Sequence, residues 1–591
     1  MDWQGWFTTS LAAGALLTLI FTKLQVDFVM MAVMTILMLS GILDTTDALL
    51  GFSNAGVITV AAMFVLAAGI QGSGGIDLIV RHVLGRPATH SGAMFRLAAP
   101  LLPLSAFINN TPVVSTMIPA VLRWSKLIDQ TPSQLMMPLS FFSILGGTCT
   151  LVGTSTNLVV DSQYQKLTGE PGFGLFDISL VGIPVALAGA LTMMLFFRWL
   201  LPRRESTETI LGNRKDFTFE VAVATDGPLV GMTIEGAGLR HLRRIFLAEI
   251  ERRGTILTAV TPDEVLQSGD RLVFVGETDA IIDLLRTNGL VASENTDPVI
   301  ERNVPERRIV EAVVSLDCEA VGTSIRDSEF RDRYGAVVLA VARDGRHIKG
   351  NLGSIILKAG DVLLLEARPA FISRQRYLRD FLVINDLNEV APDHSTSWLC
   401  WLILLGVILS AGIGFLSMLN AALIGAGLMI ATRCCTMAEA RRSIDLSVIL
   451  TIGASFALGT ALEKTGASEY LAHGIMGFAG SDPMIILLLV YVSVMLLTEM
   501  ISNNAAALLM LPIVLAMTAT LGLNPIPYTM AVTMAASACF LTPIGYQCNL
   551  MVQGPGGYHF TDYFKPGIVM TVVCCAVTVL IIPMIWPLQA A

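Results

Sequence analysis

Residues 1–202 and 396–591 of this chain hold only 13 basic and 16 acidic residues between them, whereas residues 203–395 hold 25 and 31. No other feature constrains the fold as strongly. Two nearly uncharged stretches of 202 and 196 residues, divided into apolar runs of about 20, suit the hydrocarbon core of a bilayer and little else. The segment between them has the charge density of an ordinary soluble domain. This excludes a soluble enzyme, a secreted disulfide scaffold and a disordered protein. The net charge of −9 and pI near 5.4 also argue against a nucleic-acid partner, which asks for a basic surface.

The apolar periodicity predicts membrane helices beginning near Gly5, Asp27, Ala55 and Ala93, with another from Phe176 to Leu201. After the charged segment, helices are predicted to begin near Ser397, Leu419, Leu446, Pro483 and Pro566. The N-terminal run carries acidic Asp2 and no basic flank, so it reads as a first membrane helix rather than a cleaved signal. Two stretches, 105–158 and 498–552, are apolar yet interrupted by Pro, Asn, Thr and Gly. Broken backbone at membrane depth is tolerated only where protein buries it or where it lines a cavity.

These interruptions recur in matching order. Ser105-Ala-Phe-Ile-Asn109-Asn110-Thr111 aligns with Thr498-Glu-Met-Ile-Ser502-Asn503-Asn504. Asn110 precedes Gly153 by 43 residues and Asn503 precedes Gly545 by 42; each glycine opens a five-residue segment ending in Asn157 or Asn549. Upstream, Gly74 and Gly85 are 11 apart, as are Gly466 and Gly477. Paired, interrupted segments in two halves of a chain point to a secondary-transporter binding site.

The charged segment repeats at an offset of 91, matching Val230-Gly231 with Val321-Gly322, Gly254 with Gly345, and Gly269-Asp270 with Gly360-Asp361. Each unit predicts an alternating strand (Phe219 to Ala224; Val310 to Leu316), a short amphipathic helix, a strand pair, and a Gly-Asp turn into a further strand (Arg271 to Val275; Val362 to Glu366). Arg203-Arg204 follow an apolar helix directly, which places the insert in the cytoplasm.

Amide and hydroxyl oxygens at a helix break, with freed backbone carbonyls, are the hard ligands a small cation such as sodium needs. Freed N–H groups at half-helix N-termini attract an anion. No Arg or Lys occurs within 105–122 or 466–564. A dianion there meets no fixed counter-charge and cannot be buried alone, so co-bound cations give a physical reason for coupling. The competing reading is that Asn109-Asn110 and Asn503-Asn504 only bond across helices; their equivalent positions favour a site. Glu499, the only acid from Pro483 to Gly557, reads as a structural acceptor at the break or as a proton carrier, and its counterpart is Ala106. His82 and His473 lie in amphipathic stretches, and HExxH, GxSxG and P-loop patterns are absent. The nine cysteines include Cys434-Cys435 and Cys574-Cys575 but no CxxC, and read as small hydrophobes. Gly236-Ala-Gly238 reads as a turn.

On these motifs the chain resembles the divalent anion:sodium symporter family, the solute carrier 13-like permeases, over both apolar segments. The family carries two Ser-Asn-Thr motifs at hairpin tips, each paired with a Gly/Ala-Thr-Pro-Pro-Asn-like turn. Here the tips read Asn109-Asn110-Thr111 and Ser502-Asn503-Asn504, each one residue different, and both later turns lack Pro-Pro. The resemblance implies a polytopic α-helical membrane protein built from two inverted repeats with helical hairpins and broken helices, plus an inserted pair of small α+β domains. Its boundaries would be 1–202, 203–300, 301–395 and 396–591. It implies one sodium near Ser105, Asn109, Asn110 and Gly153 and a second near Thr498, Ile501, Asn503 and Gly545. The anion would face Asn109, Asn110, Thr111, Thr154, Ser502, Asn503 and Asn504. A homodimer in the cell's inner membrane, among lipids, with elevator-like transport domains is implied too.

The two inserted units are similar to RCK C-terminal (TrkA-C) lobes, without the Rossmann lobe that often accompanies them. Family members with such tandem lobes are often sulfate carriers, which points first to sulfate and second to dicarboxylates such as succinate. The lobes read either as sensors of a small-molecule or nucleotide ligand or as an assembly platform. Two further classes stay open: an RCK-regulated channel, although no TVGYG-like filter occurs, and a receptor that binds anion without moving it. Coupling to protons through Glu499 is a variant of the symporter reading.

Overall fold

The computed structural model describes residues 2–22, 24–75, 83–87, 89–204, 218–225, 227–239, 245–252, 255–258, 260, 263–276, 289–292, 308–315, 318–343, 346–348, 352–367, 371, 380–386, 397–470, 482–543 and 545–589. His82, His473, Gly254, Gly345, Gly477 and the polar linkers at 205–217 and 387–396 lie outside these residues.

Before the strands come α1 (Trp3–Phe21), α2 (Val26–Leu39), the short α3 (Thr45–Leu49), α4 (Ala55–Gly72), α5 (His90–Phe107), α6 (Asn110–Leu127), α7 (Met136–Gly147), α8 (Ser155–Thr168) and α9 (Ser179–Leu200). Predicted and observed starts differ by a few residues because polar caps lie outside the apolar runs. The Asp2 carboxylate accepts from the Trp3 amide at 2.6 Å, and Thr89 accepts from Gly92 at 3.1 Å, starting α5 at His90.

Two antiparallel five-stranded sheets follow. The first holds β1 (Thr218–Val223), β2 (Ile245–Arg252), β3 (Thr255–Thr258), β4 (Arg271–Gly276) and β5 (Leu290–Ala292). The second holds β6 (Arg308–Val314), β7 (Ala336–Arg343), β8 (Arg346–His347), β9 (Val362–Ala367) and β10 (Phe381–Asp386), with α10 (Phe330–Tyr334) before β7. The order is β3-β2-β4-β1-β5 in one and, read from the matching edge, β8-β7-β9-β6-β10 in the other. Alternation puts Val221, Ile250, Leu272 and Phe274 inside the first sheet's apolar core. The Gly-Asp turn is built identically in both. Asp270 takes a bidentate pair from Arg252 at 3.0 and 2.9 Å, and Asp361 takes one from Arg343 at 2.6 and 2.7 Å. In each, a backbone N–H three residues earlier also bonds the buried carboxylate. Gly238 has φ +72° within a turn, as its sequence suggested.

After the strands run α11 (Ser397–Gly412), α12 (Met418–Ala431), α13 (Met437–Ser443), α14 (Leu446–Lys464), α15 (Pro483–Thr498), α16 (Asn503–Leu521), α17 (Pro525–Ser537), α18 (Gln547–Gly556) and α19 (Phe564–Ile585). The described helices are thus mostly apolar, and five are long and apolar enough to cross a membrane by length and composition: Thr45–Gly72, Ser179–Phe196, Leu446–Lys464, Asn503–Leu521 and Phe560–Ile585. The two sets interlock: α14 packs on α2 while α12 packs on α4. The backbone breaks fall between α5 and α6, α7 and α8, α15 and α16, and α17 and α18, within the two interrupted stretches.

Candidate functional site

The four breaks are joined into a ring by side chains from both ends of the chain. At the first tip, α5 stops at Phe107 and α6 restarts at Asn110, with Asn109 extended at φ −51°, ψ 141°. Asn110 is buried and accepts from the Ser105 hydroxyl, which lies 2.8 Å from the Ser143 hydroxyl. At the second tip, α15 stops at Thr498 and Ser502 caps α16, accepting from the Ala505 amide at 3.4 Å. Thr498 donates to Asn503 Oδ1 at 2.8 Å and to the Ala536 carbonyl at 2.7 Å. Both tips therefore use a hydroxyl five residues upstream to orient an amide.

Each later turn is pinned by its closing asparagine. Asn157 Nδ2 donates to the carbonyls of Gly147 and Thr150 at 3.3 and 2.8 Å, and Asn549 Nδ2 donates to those of Cys539 and Thr542 at 3.0 and 3.2 Å. The turns then press against their own tips. A Cβ on Gly153 would meet the Gly147 carbonyl and lie 3.0 Å from the Ala106 carbonyl. One on Gly545 would meet the Cys539 sulfur and lie 2.8 Å from the Thr498 carbonyl. A side chain fits at neither position, which accounts for glycine at both.

Contacts between the two ends of the chain close the ring. Asn110 Nδ2 donates to the Tyr546 hydroxyl at 2.7 Å, and the Thr111 hydroxyl donates to Gln547 Oε1 at 3.4 Å. Reciprocally, Asn504 Oδ1 accepts from the Thr156 hydroxyl at 2.9 Å and its Nδ2 donates to Ser155 Oγ at 3.3 Å. Four helix N-termini, those of α6, α8, α16 and α18, meet here. The partial positive charge of these N-termini favours an anion, while the amide, hydroxyl and carbonyl oxygens beside them suit a hard cation. Among the described residues no group of three or more His, Cys, Asp or Glu is gathered that could hold a metal ion; the oxygens lining the ring are amide, hydroxyl and carbonyl oxygens, with the Glu499 carboxylate beside the second turn.

The structure brings Ser105, Asn110, Thr111, Gly153, Thr498, Asn503, Asn504 and Gly545 into this ring. Asn109 sits half-buried at the first tip. Thr154 caps α8, bonding the Thr156 amide at 3.0 Å. Ile501 packs in an apolar cluster with Val29 and Ala505, so only its backbone could reach an ion. Tyr546, Gln547, Ser155 and Thr156 were not singled out from sequence. Glu499 is buried and saturated: Oε1 accepts from the Phe540 and Leu541 amides at 2.9 Å each, and Oε2 from the Thr542 amide at 3.0 Å and Cys539 Sγ at 3.3 Å. These bonds hold the second turn against the tip.

Comparison with known proteins gives a consistent class. The citrate transporter family (CitMHS) matches residues 16–522 and 505–590. A putative sulfur deprivation response regulator of Chlamydomonas reinhardtii is 34% identical, covering 94% of this chain and 97% of that protein. An uncharacterised transporter of Synechocystis sp. is 32% identical over 100% of this chain and 98% of its own. A probable sodium/sulfate cotransporter of Chlamydomonas reinhardtii is 25% identical, covering 89% of this chain and 82% of that protein.

Proposed function

The chain belongs to the citrate transporter family, a family of membrane transporters, and from that premise we propose that it is a sodium-coupled symporter of a divalent oxyanion, sulfate first and short dicarboxylates such as succinate second. The observation that carries this reading is the ring of four helix N-termini lined by amide, hydroxyl and carbonyl oxygens, with no Arg or Lys within 105–122 or 466–564. A dianion drawn to those N-termini has no fixed cationic partner, and an unpaired charge at membrane depth is costly. Two sodium ions beside it make the load neutral, so ion and anion move together or not at all. The name of the cotransporter relative couples sodium with sulfate, which supports the choice of first substrate.

One sodium is assigned to Ser105, Asn109, Asn110 and Gly153, the other to Thr498, Ile501, Asn503 and Gly545. The anion is assigned to the space facing Asn109, Asn110, Thr111, Thr154, Ser502, Asn503 and Asn504. Residues 1–202 and 396–591 form inverted halves of one transport unit, which pairs as a homodimer in the inner membrane and moves in an elevator-like way. Residues 203–300 and 301–395 form two cytoplasmic RCK C-terminal-like modules that regulate it. Sodium-dependent uptake of labelled sulfate into proteoliposomes tests this reading.

A second reading has one specific support, the name of the 34% identical relative, a putative sulfur deprivation response regulator. On that reading the same ring binds the anion and the soluble modules report its occupancy without net transport. Binding that saturates with sodium but yields no uptake separates the two.

A further inference from the structure

The soluble part meets the membrane part at α18, close to the ring. Gly554 is a helix-interior glycine with an ordinary backbone conformation, where alanine would favour the helix by about 1 kcal/mol. Packing explains it: a Cβ there would run into Cγ2 of Val362 and lie 3.3 Å from the Gly360 carbonyl. From the other side, Gly360 holds φ +84° at the Gly-Asp turn, and a Cβ on it would be 3.3 Å from Leu550 Cδ1 and 3.4 Å from Gln553 Oε1. The turn of the second sheet thus seats on α18 from Leu550 to Gly554, one helical turn from Tyr546 and Gln547. The second sheet's buried apolar residues, Val362 and Leu363 among them, form one continuous cluster with the membrane helices, whereas the first sheet has its own. Strand β10 also lies against α6, the helix that begins at Asn110.

Both helices that carry the Asn110–Tyr546 bond are therefore touched by the second sheet. The first sheet joins through Arg331 of α10, which donates to the Val260 and Leu247 carbonyls at 2.7 and 3.1 Å. We infer that the second soluble module is a positioning element of the membrane site: the Gly360-Asp361 turn, seated on Gly554, fixes where α18 presents Tyr546 and Gln547 to Asn110 and Thr111. The inference rests on the ring being the transport site. It deepens that reading by naming the contact through which the modules reach it. Packed elements pass on displacement because their interiors are close-packed and yield little.

The test is a pair of substitutions in the full-length protein. Gly554→Ala puts a methyl into the Val362 contact, and Val362→Ala removes the atom it strikes. Two readouts are taken: hydrogen exchange at the Asn549 and Leu550 amides, which bond the Tyr546 carbonyl at 3.0 and 3.3 Å, and the half-saturating sulfate concentration for sodium-driven uptake. Gly554→Ala should speed that exchange about tenfold, as overpacking does, and raise half-saturation by a similar factor. Val362→Ala alone, which loosens the seat without pushing on α18, should shift both by less than Gly554→Ala does, and the double variant should fall back to the Val362→Ala values. Wild-type protection in Gly554→Ala, or a defect that Val362→Ala does not relieve, overturns the inference. Exchange that follows the pattern in a protein whose wild type moves no anion sustains the mechanical link and sinks the transport reading instead.

Discussion

Asn110 in the first interrupted stretch donates through Nδ2 to the hydroxyl of Tyr546, 2.7 Å away and 436 residues later in the chain. Its Oδ1 is meanwhile held by Ser105, so both ends of one amide are set by groups from opposite ends of the sequence. The reciprocal bond from Thr156 to Asn504 at 2.9 Å makes the arrangement two-sided. Each tip is oriented by the other half's turn, so neither half builds its part of the ring alone.

Removing the tip amides should remove coupling. Asn110→Ala and Asn503→Ala should each abolish sodium-driven uptake while the protein elutes as folded material in size-exclusion chromatography. Wild-type sodium dependence in either variant contradicts the placement of the ion sites.

Tyr546→Phe deletes one hydroxyl and leaves the ring in place. A single such bond contributes about 1 kcal/mol net, so the half-saturating anion concentration should rise roughly fivefold. An unchanged concentration would mean that the Asn110–Tyr546 bond does not shape the site.

The bond between the halves at the second tip predicts non-additivity. Asn504→Ala and Thr156→Val each lose it, so the double variant should show no more than the larger single defect, with a coupling of about 1 kcal/mol. Full additivity in uptake kinetics would show that the pair acts independently.

Glu499→Gln keeps the shape but turns an amide NH2 toward N–H donors that now bond a carboxylate. Hydrogen bonds to a charged group contribute about 1.5–3 kcal/mol, so the variant should melt at a lower temperature while uptake still requires sodium. Uptake in the wild type that persists without sodium and vanishes in Glu499→Gln would instead make Glu499 a proton carrier.

In the two sheets, Asp270→Asn and Asp361→Asn each break a buried carboxylate from its bidentate arginine. Arg252 and Arg343 are 19% and 24% exposed, so solvent lowers the loss to about 2–3 kcal/mol. Faster proteolysis within residues 203–395 should follow, and unchanged proteolysis would count against these pairs as the turn's anchors.

Several of these features are legible in the sequence, for identifiable reasons. Strand limits followed from alternation, and Arg271 to Val275 and Val362 to Glu366 fall within one residue of β4 and β9. Helix breaks were visible because Asn109-Asn110 and Ser502-Asn503-Asn504 interrupt apolar runs. Tyr546, Gln547, Ser155 and Thr156 were not legible, because their partners lie about 350 to 436 positions away and no local pattern encodes such a pairing. The seat of Gly360 on Gly554 was hidden likewise: a glycine needed for close approach looks the same in sequence as one needed for a turn.

The most direct measurement is uptake of labelled sulfate into proteoliposomes with sodium or potassium outside, competed by unlabelled succinate. Sodium-coupled symport predicts concentrative uptake in sodium and none in potassium; inhibition by succinate would assign the substrate class to dicarboxylates with the mechanism intact. Uptake that is equal in potassium, or absent in sodium while the anion still binds, would contradict sodium-coupled symport.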